Sequence, residues 1–324
     1  MSPHRLGYAC INMTLGGDSV PKKQRVTTNR TCRLATAQAK GLPHIASLVA
    51  SNVRDLHTIL QWNEAHDIRL FRMSSEMFPF IAHPDFSYSI SDLDEYAPVS
   101  ELLRTAGQYA LDHNHRLSFH PGPFNVLASP HESVVVKAIA ELDATASICD
   151  ALGLPADHNS KINIHVGGAY GEPLEALKRF CDNFYLLHPN TQARLTVEND
   201  DRANLFSTKD LYDYVHNVIG IPIVFDYHHH RFCDGGLSER EALELAISTW
   251  PEGVTPVVHY SESRSAEQLD ESIRPQAHSD YVYDYIDTYG NDIDIMVEAK
   301  HKELAVERYL DIHKNYLQKD AEST

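Results

Sequence analysis

The chain has 324 residues, 43% hydrophobic and 23% charged, with a formal net charge of −17 at pH 7. These values describe a soluble globular protein long enough for one α/β barrel. They exclude a membrane span, since no stretch approaches the ~20 apolar residues one needs, and they weigh against a polyanionic partner, which usually demands a basic footprint.

One segment departs from that balance. Between Ser19 and Arg54 lie Lys22, Lys23, Arg25, Arg30, Arg33 and Lys40, with no Asp or Glu. A local cationic loop on an acidic protein can hold a polyanion. Five scattered cysteines without a CxxC pair read as reduced thiols inside a cell, with Cys10 and Cys149 as core residues. The opening MSPHRLGYACINMTL lacks a signal peptide's apolar core. The expected location is intracellular: cytoplasmic in a bacterium or archaeon, nuclear or organellar in a eukaryote.

In chain order, eight short β-branched runs each end in a residue able to bind a metal or a phosphate. They are LGYACIN (Asn12), IRLFRMS (Ser74), RLSFHPG (His120), KINIHVGG (His165), RLTVEND (Glu198), PIVFDYHHH (Asp226, His229), TPVVHYSES (His259) and IDIMVEAK (Glu298). Helical periodicity fills the intervals near 45–60, 99–113, 129–153, 173–187, 208–220, 238–250, 280–289 and 302–317. This alternation predicts an α/β fold, a (β/α)8 TIM barrel with extended βα loops at 14–45 and 75–98 on its active-site face. One barrel domain over 1–317 and a flexible tail over 318–324 are expected.

Parallel barrel strands deliver their last residues to one face. There His120, His165, Glu198, Asp226, His229, His259, His278 and Glu298 would meet. Burying so many imidazoles and carboxylates together is prohibitive without cations. Imidazole with carboxylate suits Zn, Mn or Fe, and the lack of thiolates argues against a structural zinc. Asp226 and His229 form a DxxH pair, leaving His228 or His230 for phosphate or solvent. Glu198, between the histidine strands and the carboxylate strands, is the natural bridge between two metals, an arrangement that can clamp a phosphodiester.

The motifs GYACINMTL, TTNRTCRL, ILQWNEAHDIRLFRMSSEMFPF, HPG with VLAS, INIHVGGAYG, VENDD, VFDYHHH, VHYSES, AHSDYV and IMVEAKHKELA, in that order over roughly residues 6–310, resemble the UV damage endonuclease family. The resemblance implies a TIM barrel related to the endonuclease IV type. It implies a hydrolase that nicks damaged double-stranded DNA 5′ to UV photoproducts, with other distorting or abasic lesions as further candidate substrates, leaving 3′-hydroxyl and 5′-phosphate. It further implies three divalent ions, manganese foremost, with Zn, Mg or Co as alternatives. His120 and His165 would hold one ion with Glu198 as bridge; Glu198, Asp226, His259 and Glu298 the second; His229 and His278 the third. Glu198 and His83 would serve catalysis, and Tyr8, Asn12, Asn29, Arg30, Pro123 and Phe124 would face DNA. A monomer with no membrane partner is expected.

Two features depart from the family pattern. Pro123 and Phe124 stand where Gln and an aromatic usually probe the lesion, and Val257 stands where some members carry a metal-site lysine. Two alternatives remain. One is a xylose isomerase-like isomerase or epimerase, which would hold fewer ions; the other is a damage-binding protein without catalysis.

Overall fold

The computed structural model describes residues 5–322. Eight parallel strands, β1 (Leu6–Ala9), β2 (Leu70–Met73), β3 (Arg116–Phe119), β4 (Ile162–His165), β5 (Leu195–Glu198), β6 (Ile223–Val224), β7 (Val257–Tyr260) and β8 (Asp294–Val297), pair in the order 6-5-4-3-2-1-8-7. A parallel bridge between Asp226 and His259 links the two ends, so the expected barrel is nearly closed. The strands are almost wholly buried because helices cover the outside and side chains fill the inside, which is why they read as apolar runs.

Register fixes the site. His165 lies beside Glu198 across the β4–β5 pair, while His120, Asp226 and Glu298 follow directly on or near the ends of β3, β6 and β8. His259 sits within β7 rather than at its end. Val257, two residues earlier, is buried in a small apolar layer with Ala9, Leu70, Val224, Trp250 and Met296.

Three expectations need correction. Residues 280–289 form no helix. Glu267 accepts from the backbone N–H groups of Asp280 and Tyr281, and Glu262 from those of Tyr283 and Asp284, so these carboxylates replace helical carbonyls as partners. The loop after β1 is shorter than expected, because a helix already runs over Leu34–Ala65. It is broken at Gly41 (φ 68°), next to Pro43, whose ring and missing N–H forbid a regular turn there. The C-terminal helix runs over Glu303–Glu322. Cys10 is only half-buried, whereas Cys149 is buried, and all five thiols are free.

Candidate metal centre

Glu198 closes β5 and is 1% exposed, so its charge must be met from within the chain. Four imidazoles converge on it. Oε2 lies 3.1 Å from His120 Nε2 and 3.0 Å from His259 Nδ1; Oε1 lies 3.3 Å from His229 Nδ1 and 3.8 Å from His165 Nε2. Asn163, held by Thr196, also donates to Oε2. Burial alone would raise the Glu198 carboxyl, but His259, His165 and His120 overcome it and hold the group well below the carboxylate range.

The DxxH pair has a local cause. Asp226 is the N-cap of the turn Tyr227–His230 and accepts from the His229 N–H at 2.8 Å, which places both side chains on the same mouth. Asp226 Oδ1 is thereby engaged, while the buried Oδ2 has no hydrogen-bond partner. Burial raises the Asp226 carboxyl to about 6. His228 and His230 are buried, so neither is left for solvent.

Ligand atoms fall within 4.8 Å of one another in three groups: His120, Glu198 and His259; His165, Glu198 and His229; Asp226, His259 and Glu298. The partition differs from the one the resemblance implies, pairing His120 with His259 and His165 with His229. His278 belongs to no group; its Nδ1 is 3.8 Å from Glu298 Oε2 and 3.1 Å from the Glu298 carbonyl. The residues fit divalent cations. His259 Nδ1 stands 3.0 Å from Glu198 and 3.2 Å from Glu298, and one ring N–H can serve only one of them, whereas an ion between the three satisfies all. The unpartnered Asp226 Oδ2 points the same way.

Several participants escaped the sequence reading. Asp200 lies 3.4 Å from His165 Nδ1, on the ring edge away from Glu198, and orients that imidazole. Glu198 and Asp200 together raise His165 to about 10 against the opposing effect of burial. Lys161 reaches within 3.4 Å of His259 Nε2, and burial lowers it to about 7. Arg72 pairs with Glu298. The doublet Asp200–Asp201 after VEN was the available signal for the first; an arginine or lysine inside an apolar run gave none.

Above the cluster lies a cleft of about 530 Å³ lined in part by Arg72, His120, His165, His229, Arg202 and Glu298. Pro123 borders it, and Phe124 beside it is 89% exposed. A second cavity of about 550 Å³ adjoins the first through Gly122 and Asn125 and is lined by Phe80, His83 and Phe124. His83 therefore faces this neighbour and stands outside the three ligand groups, its Nδ1 accepting from the Asp85 N–H.

The expected DNA-facing residues divide. Tyr8 and Asn12 are wholly buried, with Asn12 donating to the Tyr8 hydroxyl and Tyr8 to Asn63. They brace the first loop and do not reach the surface. Asn29 accepts from the Thr27 hydroxyl, and Arg30 is spent on the carbonyls of Thr27 and Arg25 and on Asp55 at 2.6 Å. The exposed cations of that segment are Lys22, Lys23, Arg33, Lys40 and Arg54.

Fold and site define a TIM barrel with a candidate histidine–carboxylate metal centre at the C-terminal mouth of its strands. The model of the family UV-endonuclease UvdE matches residues 4–321, and the chain belongs to that family. It is 36% identical over 310 residues to the UV-damage endonuclease of Schizosaccharomyces pombe, covering 93% of this chain and 49% of that protein. The UV DNA damage endonuclease of Bacillus cereus is 32% identical over 318 residues, covering 95% and 93%. The chain thus spans about half the length of its fungal relatives and nearly all of the bacterial one. The crystal structure of SacUVDE superposes with a TM-score of 0.81 at 31% identity over 97% of this chain and 99% of that one. A D-tagatose 3-epimerase-like protein, at 14% identity and TM-score 0.54, shares the fold alone.

Proposed function

We propose that this chain is a metal-dependent DNA repair endonuclease that hydrolyses the phosphodiester 5′ to UV photoproducts, leaving 3′-hydroxyl and 5′-phosphate ends. The convergence of four imidazoles on Glu198, beside Asp226 and Glu298, carries the reading. The family and the names of its relatives supply the substrate class.

Bound divalent ions, manganese foremost, would supply a nucleophile at neutral pH and neutralise charge on the phosphate oxygens. His120, His165, Glu198, Asp226, His229, His259 and Glu298 would hold them, with His278 as an accessory beside Glu298. Asp200 keeps the His165 ring aimed at the centre. Arg202 offers a cation at the cleft wall, and Lys22, Lys23 and Arg33 on the loop after β1, with Lys40 on the helix that follows, offer backbone-gripping charge. Phe124 would wedge into the distorted duplex, where unstacking costs least, with Pro123 and His83 flanking it. One copy of the chain would act on one lesion.

Glu198→Gln tests this. The isostere keeps the packing and removes the charge, so nicking of UV-irradiated plasmid with manganese should fall by about a thousandfold or more. The circular dichroism spectrum should be unchanged. Wild-type nicking in a folded variant would sink the reading, and damage binding without nicking by the wild-type protein would favour a damage-binding protein.

A further inference from the structure

Arg72 is the third residue of β2, and its guanidinium is 15% exposed where β2 opens into the cleft. Nη1 pairs with Glu298 Oε1, the same oxygen that lies 3.2 Å from His259 Nδ1. Asp226, His259 and Glu298 form one of the three candidate cation groups. A guanidinium and a divalent ion therefore compete for one carboxylate. The guanidinium cannot relieve the conflict by losing a proton, and two cations at such spacing repel strongly in a buried site.

The other cations nearby stand differently. Lys161 contacts His259 from its Nε2 edge and does not line the cleft; Arg202 lines the cleft but its side chain is 64% exposed and pairs loosely with Asp201 at 3.7 Å. Of these three cations, Arg72 is the one that both pairs with a candidate ligand and lines the cleft. Its planar fork also matches a phosphate in two-point contact.

We propose that Arg72 is a stand-in cation that neutralises Glu298 before a divalent ion binds, then yields that carboxylate and engages the scissile phosphate in the cleft. This rests on the metal-dependent reading above. The exchange couples loading to substrate grip: the arm that holds DNA is free only when the ion is in place. Arg72 is then a phosphate-binding residue in the loaded protein and a competitor of the ion in the metal-free one.

The test titrates manganese alone into wild-type, Arg72→Met and Arg72→Lys proteins by calorimetry. It then measures binding of each loaded protein to the nicked duplex product across a salt series. Arg72→Met should bind manganese about tenfold more tightly, the scale on which groups around a ligand tune affinity. Its loaded form should bind the nicked duplex about tenfold more weakly, with the salt slope reduced by roughly one. Arg72→Lys, which keeps the charge, should retain the slope, and it serves if the methionine variant fails to fold. Weaker manganese binding by Arg72→Met, or an unchanged salt slope, would show a strut that merely orients Glu298 and overturn the proposal. No manganese uptake by wild type would overturn the metal reading and this proposal together.

Discussion

The two ends of the barrel both bury charge, and they settle it in opposite ways. At the N-terminal end Arg116, the first residue of β3, donates to the carbonyls of Thr255, Asn159 and His158 and to Asp294 Oδ2 at 2.9 Å. Asp294, the first residue of β8, also accepts from the Arg5 side chain and backbone. Fixed donors meet fixed acceptors there. At the mouth, four rings crowd one carboxylate, His259 Nδ1 stands between two acids, and Asp226 Oδ2 has no hydrogen-bond partner. The closed end stabilises; the open end keeps lone pairs for a ligand from outside, the division of labour expected of this barrel.

The largest effect that would break the comparison lies at the closed end. Arg116→Met leaves the Asp294 charge, with its side chain 3% exposed, facing only Arg5. Loss of one partner of a buried pair costs about 3–5 kcal/mol. Denaturant melts should show that loss, while nicking per folded molecule stays at the wild-type level. Lost activity without lost stability would mean that the two ends are not separable.

A second, smaller effect sharpens the contrast through pH. His165, raised to about 10 by Glu198 and Asp200 against burial, carries a proton at neutral pH, and burial lifts Asp226 to about 6. An ion must displace such protons. Metal affinity should therefore rise with pH between about 6 and 10, by up to about tenfold per unit for each proton displaced. Metal-free stability from His165 has the opposite sign. Its folded pKa is raised, so the contribution is full below the unfolded value of about 6.5 and is lost as pH rises through 10. Calorimetry in buffers of different ionisation enthalpy should detect proton release on manganese binding. A flat affinity profile with no release would show that the mouth is as closed electrostatically as the base.

What the sequence disclosed follows from the same asymmetry. The ligands were readable because β3 to β8 are short apolar runs carrying His, Glu or Asp at or near their C-terminal ends, and parallel strands align those positions. The base was not readable: Arg116 and Asp294 begin their runs and look like solvated flanks until the barrel closes over them. Arg72 was hidden for a related reason, being a single charge inside LFRM. The resemblance placed Tyr8, Asn12 and Arg30 on the DNA side, but their internal hydrogen bonds depend on Asn63, Asp55 and the loop's own fold, which no local pattern shows. Residues 280–289 carry helix-like spacing, yet Glu262 and Glu267 claim their backbone donors from a distant segment.

The smallest effect on stability concerns recognition. Phe124 is 89% exposed on the loop after β3, so Phe124→Ala should change stability by less than about 0.5 kcal/mol. If its ring stacks into the lesion, its removal should weaken binding to a photoproduct duplex by about 1–3 kcal/mol, with less change on undamaged DNA. Pro123→Gln, which restores the family's usual polar neighbour, should shift lesion preference without altering manganese binding. Nicking of photodimer, abasic and undamaged duplexes side by side reads both variants. An equal loss on all three would assign Phe124 to general DNA grip. A selective loss would place lesion choice on a loop that contributes to neither end of the barrel, so specificity could change while the metal centre and the closed base stay intact.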